Sequence, residues 1–254
     1  MFVDSHSHIY LSDFSLDRDD VITRALEAGV ERIVLPNIDS SSVKPLLDLT
    51  DTLPGLFFPL LGLHPTSVKE DFRKELLILE YWLGKRKFYG IGEIGIDLFW
   101  EKSFLGEQIE AFITQIGWAK SRNLPIVIHV RDSFNEVMEQ LQKVYTPDLR
   151  GAFHSFTGSL EQAEQIIELG FKIGINGIIT FKNSDLGETV RKIDPHHLLI
   201  ETDSPWLAPV PHRGKRNECS YIVTVASKIA ELHNTSIQSI ADITTRNAQE
   251  LFGF

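Results

Sequence analysis

The chain has 254 residues, 43% hydrophobic and 24% charged, enough apolar material for a sizeable core. A net charge of −10 excludes broad electrostatic wrapping of nucleic acid, though it permits a small site where metal ions and local cations meet phosphate. One cysteine, Cys219, excludes an intrachain disulfide and fits a reducing cytoplasm. No basic-then-apolar leader opens the chain, and its longest apolar stretch, LPGLFFPLLGL (53–63), falls well short of the ~20 residues of a membrane span.

FVDSH (2–6) reads as a first strand. Residues two apart on a strand share a face, so Asp4, His6 and His8 are expected on one side, where two imidazoles could grip an ion. The plainer alternative is a pair of hydrogen-bonded strand-end histidines. RDDVITRALEAG (18–29) carries a helical stripe of Val21, Ile22, Ala25 and Leu26, closed by Gly29. Strands follow at RIVLPN (32–37), LFFPLLGL (56–63) and FYGIGEIG (88–95), then a helix over 106–123. PIVIHV (125–130) and GAFHSF (151–156) are the next strands, and SLEQAEQIIELG (159–170) is a helix with Ser159 as N-cap. FKIGIN (171–176) and HLLIETD (197–203) complete the strands; a proline-rich loop and two helices, ECSYIVTVASKIAELH and SIQSIADITTRNAQELF, end the chain.

Eight apolar strands alternating with helices predict an α/β fold, a (β/α)8 TIM barrel with an additional C-terminal helix, built as one domain over 1–254. Such barrels place their chemistry at the C-terminal ends of the strands. There the sequence puts His6, His8, His64, Glu93, His129, His154 and Asp203. Imidazoles with carboxylates suit Zn2+, Mn2+ or Fe2+, and the carboxylate positions would also accept Mg2+. Four imidazoles and two carboxylates make six ligands, too many for one tetrahedral catalytic ion with an open position, so two ions sharing a carboxylate is the natural solution.

DSHSH, GLHP (62–65), EIGID (93–97), IHVRD (128–132), HSFTG (154–158), ETDSPWLAP (201–209) and RGKRNE (213–218) occur in the order found in the TatD family. The chain resembles these metal-dependent deoxyribonucleases of the amidohydrolase superfamily over essentially its whole length. The resemblance implies that His6, His8 and Asp203 hold one divalent ion and His129 and His154 the other, with Glu93 as the bridge. Departures are Ser7 and Tyr10 in place of a cysteine and an aspartate, Ser155 and Thr157 in the sixth motif strand, and Cys219 in place of a proline. None removes a proposed ligand.

The expected activity is hydrolysis of a phosphodiester by two-ion activation of water, with Mg2+, Mn2+ or Zn2+ as the metal. Asp203 is the expected general base, and His64 the group that holds a phosphate oxygen or the leaving group. Arg213, Lys215 and Arg216, after the eighth strand, are expected to contact the substrate phosphate; the alternative is a solvated charged loop. The resemblance implies 3′→5′ exonuclease action on single-stranded DNA, with RNA left open. Rival readings are hydrolysis of an ester, a lactone or an aminoacyl-tRNA bond, and, more remotely, a metal-binding protein without catalysis. A monomer with no membrane association and no obligate protein partner is expected. Trp206 is read either as a base-stacking wall or as core, His196 and His197 as surface or strand-entry residues, His233 as a helix-face residue without partner pattern, and Cys219 as a packed thiol.

Overall fold

A computed structural model describes residues 1–100 and 102–254. Its strands are β1 (Phe2–Asp4), β2 (Val30–Leu35), β3 (Phe57–Pro59), β4 (Ile91–Asp97), β5 (Ile126–Arg131), β6 (Gly151–Phe153), β7 (Lys172–Ile175) and β8 (Leu198–Ile200). Its helices are α1 (Arg18–Glu27), α2 (Val43–Thr52), α3 (Phe72–Leu83), α4 (Leu105–Arg122), α5 (Phe134–Val144), α6 (Leu160–Glu168), α7 (Leu186–Val190), α8 (Ile222–Leu232) and α9 (Ile237–Phe252). All strand pairs are parallel and neighbours in sequence are neighbours in space, as short right-handed crossovers require. Two bridges, Ser7 to Ser204 and Leu61 to Ile91, join the β1–β3 run to the β4–β8 run and close the barrel.

Side chains alternate across this cylinder. Ile33, Leu35, Ile126, Ile128, Ile173 and Ile175 join the larger core between strands and helices. Val34, Phe58, Leu60, Val127, Ala152 and Leu199 form a smaller cluster that Ala248, Leu251 and Phe252 of α9 pack against. The period of two then carries this second series up to polar residues: Val127 leads to His129, Ala152 to His154, and Leu199 to Glu201 and Asp203. A greasy layer below and a titratable layer above come from the same strands.

The strands are shorter than their apolar runs. Positive φ at Ser155 (49°) and Asp203 (56°) turns the chain out of β6 and β8, although His154 N still bonds Ile128 O at 3.0 Å and Glu201 N bonds Ile175 O at 3.1 Å. β1 also ends early, at a bend on Ser5, so Asp4 leaves the face expected for it: its carboxylate accepts bonds from Thr202 N and Thr202 Oγ1 instead. Among the described residues no helix is long and apolar enough to cross a membrane.

Ser159 caps α6 as its sequence predicts. Its Oγ accepts the Gln162 N–H at 3.3 Å, and its own N–H donates to Gln162 Oε1 at 3.0 Å. Ser159→Ala is expected to cost about 1 kcal/mol, lowering Tm by about 2–4 °C in thermal unfolding followed by circular dichroism.

Candidate metal centre

Glu93 stands on β4 and is 2% exposed, too deep to be charged without partners. Its two oxygens face different imidazoles. Oε2 lies 3.2 Å from His6 Nε2 and 3.7 Å from His8 Nε2. Oε1 lies 2.7 Å from His129 Nδ1, 2.7 Å from His154 Nε2 and 3.2 Å from His64 Nε2. Asp203 Oδ1 approaches the first set, 3.8 Å from His6 Nε2 and 3.9 Å from His8 Nε2. The structure thus brings together all seven residues expected at the strand ends.

Charge follows from this crowding. Burial opposes the Glu93 carboxylate, but His154, His64 and His6 overcome it and hold the group well below its usual range. Burial likewise disfavours an imidazolium at His154, yet Glu93 and Glu201 raise that group well above its ordinary value. His129 is raised too, its burial outweighed by bonds to Asp97 and Glu93. His6 goes the other way: burial and the neighbouring His154 lower it to about 4. Burial lifts the Asp203 carboxyl to about 8.

The donor set fits divalent ions. His6 Nε2 and His8 Nε2 point at each other across 3.1 Å, and His6 Nδ1 has no partner among the described residues. Three groups of ligand atoms, each within 4.8 Å of one another, could hold a metal: His6, His8 and Asp203; His6, Glu93 and His154; His64, Glu93 and His129. The outer hydrogen bonds decide which ring nitrogen offers a lone pair. Tyr10 OH donates to Pro36 O at 2.7 Å, so it accepts from His8 Nδ1 at 3.0 Å and leaves His8 Nε2 facing the cluster. Asp97 Oδ2 takes the His129 Nε2 proton at 2.9 Å, which leaves Nδ1 facing Glu93. His64 is the exception. Its Nδ1 accepts the Thr66 N–H at 3.1 Å, so the neutral ring carries its proton on Nε2 and points a donor at the centre.

Supporting residues hold these rings in place. Glu201, 1% exposed, accepts the Ser155 N–H on Oε1, which lies 3.6 Å from His154 Nδ1. A Cβ on Gly174 would run into the Glu201 carboxylate, so only glycine leaves that space. Ser7 and Cys219, two of the departures from the family pattern, meet each other at 3.3 Å; burial pushes the thiol well above its ordinary value. Asp97, Tyr10 and Glu201 were missed in the sequence, although each lies an even number of residues from a site residue: four from Glu93, two from His8 and two from Asp203.

Above the cluster opens a cavity of about 800 Å³, walled by Ile38, Trp100, Ile178, Trp206 and Leu207. Trp206 is a wall residue, edge-on to His8 at 5.1 Å. Arg213, Lys215 and Arg216 are not among the residues lining it. Arg216 is clamped by Asp17 at 2.6 and 2.8 Å, and Arg213 lies 4.2 Å over the Phe181 ring. His196 is bound to Asp194 on the surface, and His233 donates to Val190 O.

A parallel α/β barrel with a histidine–carboxylate cluster at the strand ends defines a barrel hydrolase of the metal-dependent kind. Comparison with known proteins narrows the class. The profile of TatD related DNases matches residues 3–253, and the chain belongs to that family. YabD of Bacillus subtilis (strain 168), described as an uncharacterized metal-dependent hydrolase, is 38% identical over 253 residues, with 99% of each chain covered. YcfH of Escherichia coli (strain K12), described in the same words, is 32% identical over 254 residues, covering 98% of this chain and 95% of its own. The crystal structure of YjjV, a TatD homolog from Escherichia coli K12, superposes with a TM-score of 0.92 at 30% identity, covering 100% of this chain and 98% of the other.

Protons on His154, His129 and Asp203 must leave when an ion binds. Metal uptake at pH 7 is therefore expected to release protons, and affinity to climb as pH rises towards about 8, where the Asp203 carboxyl ionises; calorimetry in buffers of different ionisation enthalpy reads both. Asp97→Asn is expected to weaken binding by about 10–100-fold in chelator competition.

Proposed function

We propose that the protein is a two-ion phosphodiesterase, acting 3′→5′ on single-stranded DNA. In this reading His6, His8 and Asp203 would hold one ion and His129 and His154 the other, with Glu93 offering one oxygen to each side. The observation that supports it most is the division of Glu93, with Oε2 turned to His6 and His8 and Oε1 to His129 and His154. Divalent ions there would lower the pKa of water towards ~7 and offset charge on the attacking and leaving oxygens.

The protein's own groups supply the rest. Asp203, at the cavity mouth with an 8% exposed surface, takes the proton from the attacking water and returns it to the leaving oxygen. His64 gives its Nε2–H to a phosphate oxygen, the role that its bond from Thr66 leaves open to it. Asp97 and Tyr10 keep His129 and His8 in the tautomers that face the centre. The apolar walls Ile38, Ile178 and Leu207 narrow the cavity and favour a frayed strand over a continuous duplex. Those same walls would also admit a neutral ester, which keeps ester or aminoacyl-tRNA hydrolysis as the second reading.

The test is metal-stripped protein re-supplied with Mg2+, Mn2+ or Zn2+ and incubated with 5′-labelled single-stranded DNA. A metal-dependent ladder shortening from the 3′ end, absent in Asp203→Ala, is the expected result. Intact DNA beside rapid turnover of p-nitrophenyl esters would replace this reading with the second. His64→Ala is expected to lower kcat by about 10²–10³ with bound metal unchanged, whereas His129→Ala should lose metal in elemental analysis.

A further inference from the structure

The cavity over the centre has one Lys or Arg in its lining, Arg131. It stands two residues beyond His129, at the end of β5, where the register pairs it with Asp97. Its guanidinium lies 4.1 Å from the Phe99 ring centroid and 5.3 Å from that of Trp100. Among the described residues no carboxylate pairs with it and no side-chain hydrogen bond uses its N–H groups. Arg24 is spent on Glu218 and Arg216 on Asp17, so this free fork is not the common condition of arginines here. Held flat against two rings, it loses little freedom when it binds an anion.

The rings are themselves fixed from the metal centre. Asp97 Oδ1 accepts the Phe99 N–H at 3.0 Å and the Trp100 N–H at 2.8 Å, while Oδ2 holds His129. One carboxylate thereby locks the shelf to a metal-facing imidazole. Trp100 is 67% exposed, and it is a wall of the cavity, so an indole face is open to a ligand. Beyond Arg131 a second cavity of about 600 Å³ carries Asp132 and Glu136, whose charges oppose a backbone phosphate there and leave the guanidinium as the favourable place for one.

We propose that Arg131 and Trp100 form the subsite for the nucleotide next to the scissile phosphodiester, with the guanidinium bonding that nucleotide's phosphate and the indole stacking on its base. The inference rests on the phosphodiesterase reading and adds to it binding groups in the cavity wall, whose lining does not include Arg213, Lys215 or Arg216. Stacking on an indole tolerates every base, so the subsite selects a flexible single strand without selecting sequence.

The test uses the metal-loaded, full-length protein, with Arg131→Met, Arg131→Lys and Trp100→Ala. One substrate is a 5′-labelled oligothymidylate; the other is bis(p-nitrophenyl) phosphate, which has a scissile diester but no neighbouring phosphate or base. Binding is read separately by anisotropy with a phosphorothioate oligothymidylate, which keeps its charges and resists cleavage. Arg131→Met is expected to raise oligonucleotide KM and Kd by about 10–100-fold, and to reduce the slope of log K against log salt by about 0.7, the loss of one phosphate contact. Arg131→Lys should recover part of the loss, and Trp100→Ala should weaken binding about tenfold with the salt slope kept. The fall in kcat/KM on the small diester should be at least about tenfold smaller in each case. Equal falls on both substrates, or an unchanged salt slope in Arg131→Met, would overturn the subsite while leaving the phosphodiesterase reading standing. A wild-type protein that cleaves no oligonucleotide would overturn both.

Discussion

A carboxylate buried at the top of a barrel is the constraint on which the site depends. Glu93 has no solvent to stabilise its charge, and isolated burial of that charge would be prohibitive. The fold answers by supplying cationic or metal-binding partners from four segments at once: His6 and His8 after β1, His64 after β3, His129 on β5 and His154 after β6. Without metal, the imidazoles that face Oε1 share protons with it. A divalent ion held there would take the place of those protons. The same negative centre explains both the raised His154 and His129 and the attraction for divalent cations.

That constraint propagates outward through carboxylates and hydroxyls rather than through the apolar core. Asp97 fixes His129 and also the backbone of Phe99 and Trp100, so the ring that faces the centre and the aromatic shelf beside it are set by one group. Glu201 does similar work on the β8 side, with Ser155 N–H on one oxygen and Ser5 Oγ 3.4 Å from the other. Gly174 matters because its missing side chain is the space that Glu201 fills. A site of this kind tolerates change in its outer shell when the hydrogen bond is kept. At Tyr10, where the sequence resemblance implies an aspartate, the hydroxyl receives the His8 Nδ1 proton.

Much of this was legible because strands have a strict period. The histidines of IHVRD and HSFTG lie two residues above Val127 and Ala152 of the inner cluster, so placing the strands also placed these histidines. The period failed at Asp4, where a bend at Ser5 broke the alternation and sent the carboxylate to Thr202. It could have been carried further: EIGID puts Asp97 on the side of Glu93. Contacts between distant segments obey no such rule. Arg216 and Arg131 are both basic residues in motif segments, and what separates them is Asp17, 199 residues from Arg216 in the chain. No local pattern records a partner at that distance.

The fate of these two arginines bears on how an acidic protein handles an anionic substrate. With a net charge of −10, the long-range field would repel rather than steer a polyanion, so recognition of one would have to be short-ranged. The basic loop after β8 is neutralised at Arg216 by Asp17 and contributes to the fold, joining that loop to the start of α1. Among the described residues, what remains at the mouth is one unpaired guanidinium, two exposed indoles and a buried cluster suited to divalent ions. Ions supply positive charge only where the phosphate reacts, and aromatic faces supply affinity that does not depend on charge. Under the proposed function, a binding site built this way would disfavour duplex, whose stacked bases cannot reach an indole, and would accept a free end. Preference for single strands would then follow from the chemistry of the walls, without any need for a basic surface.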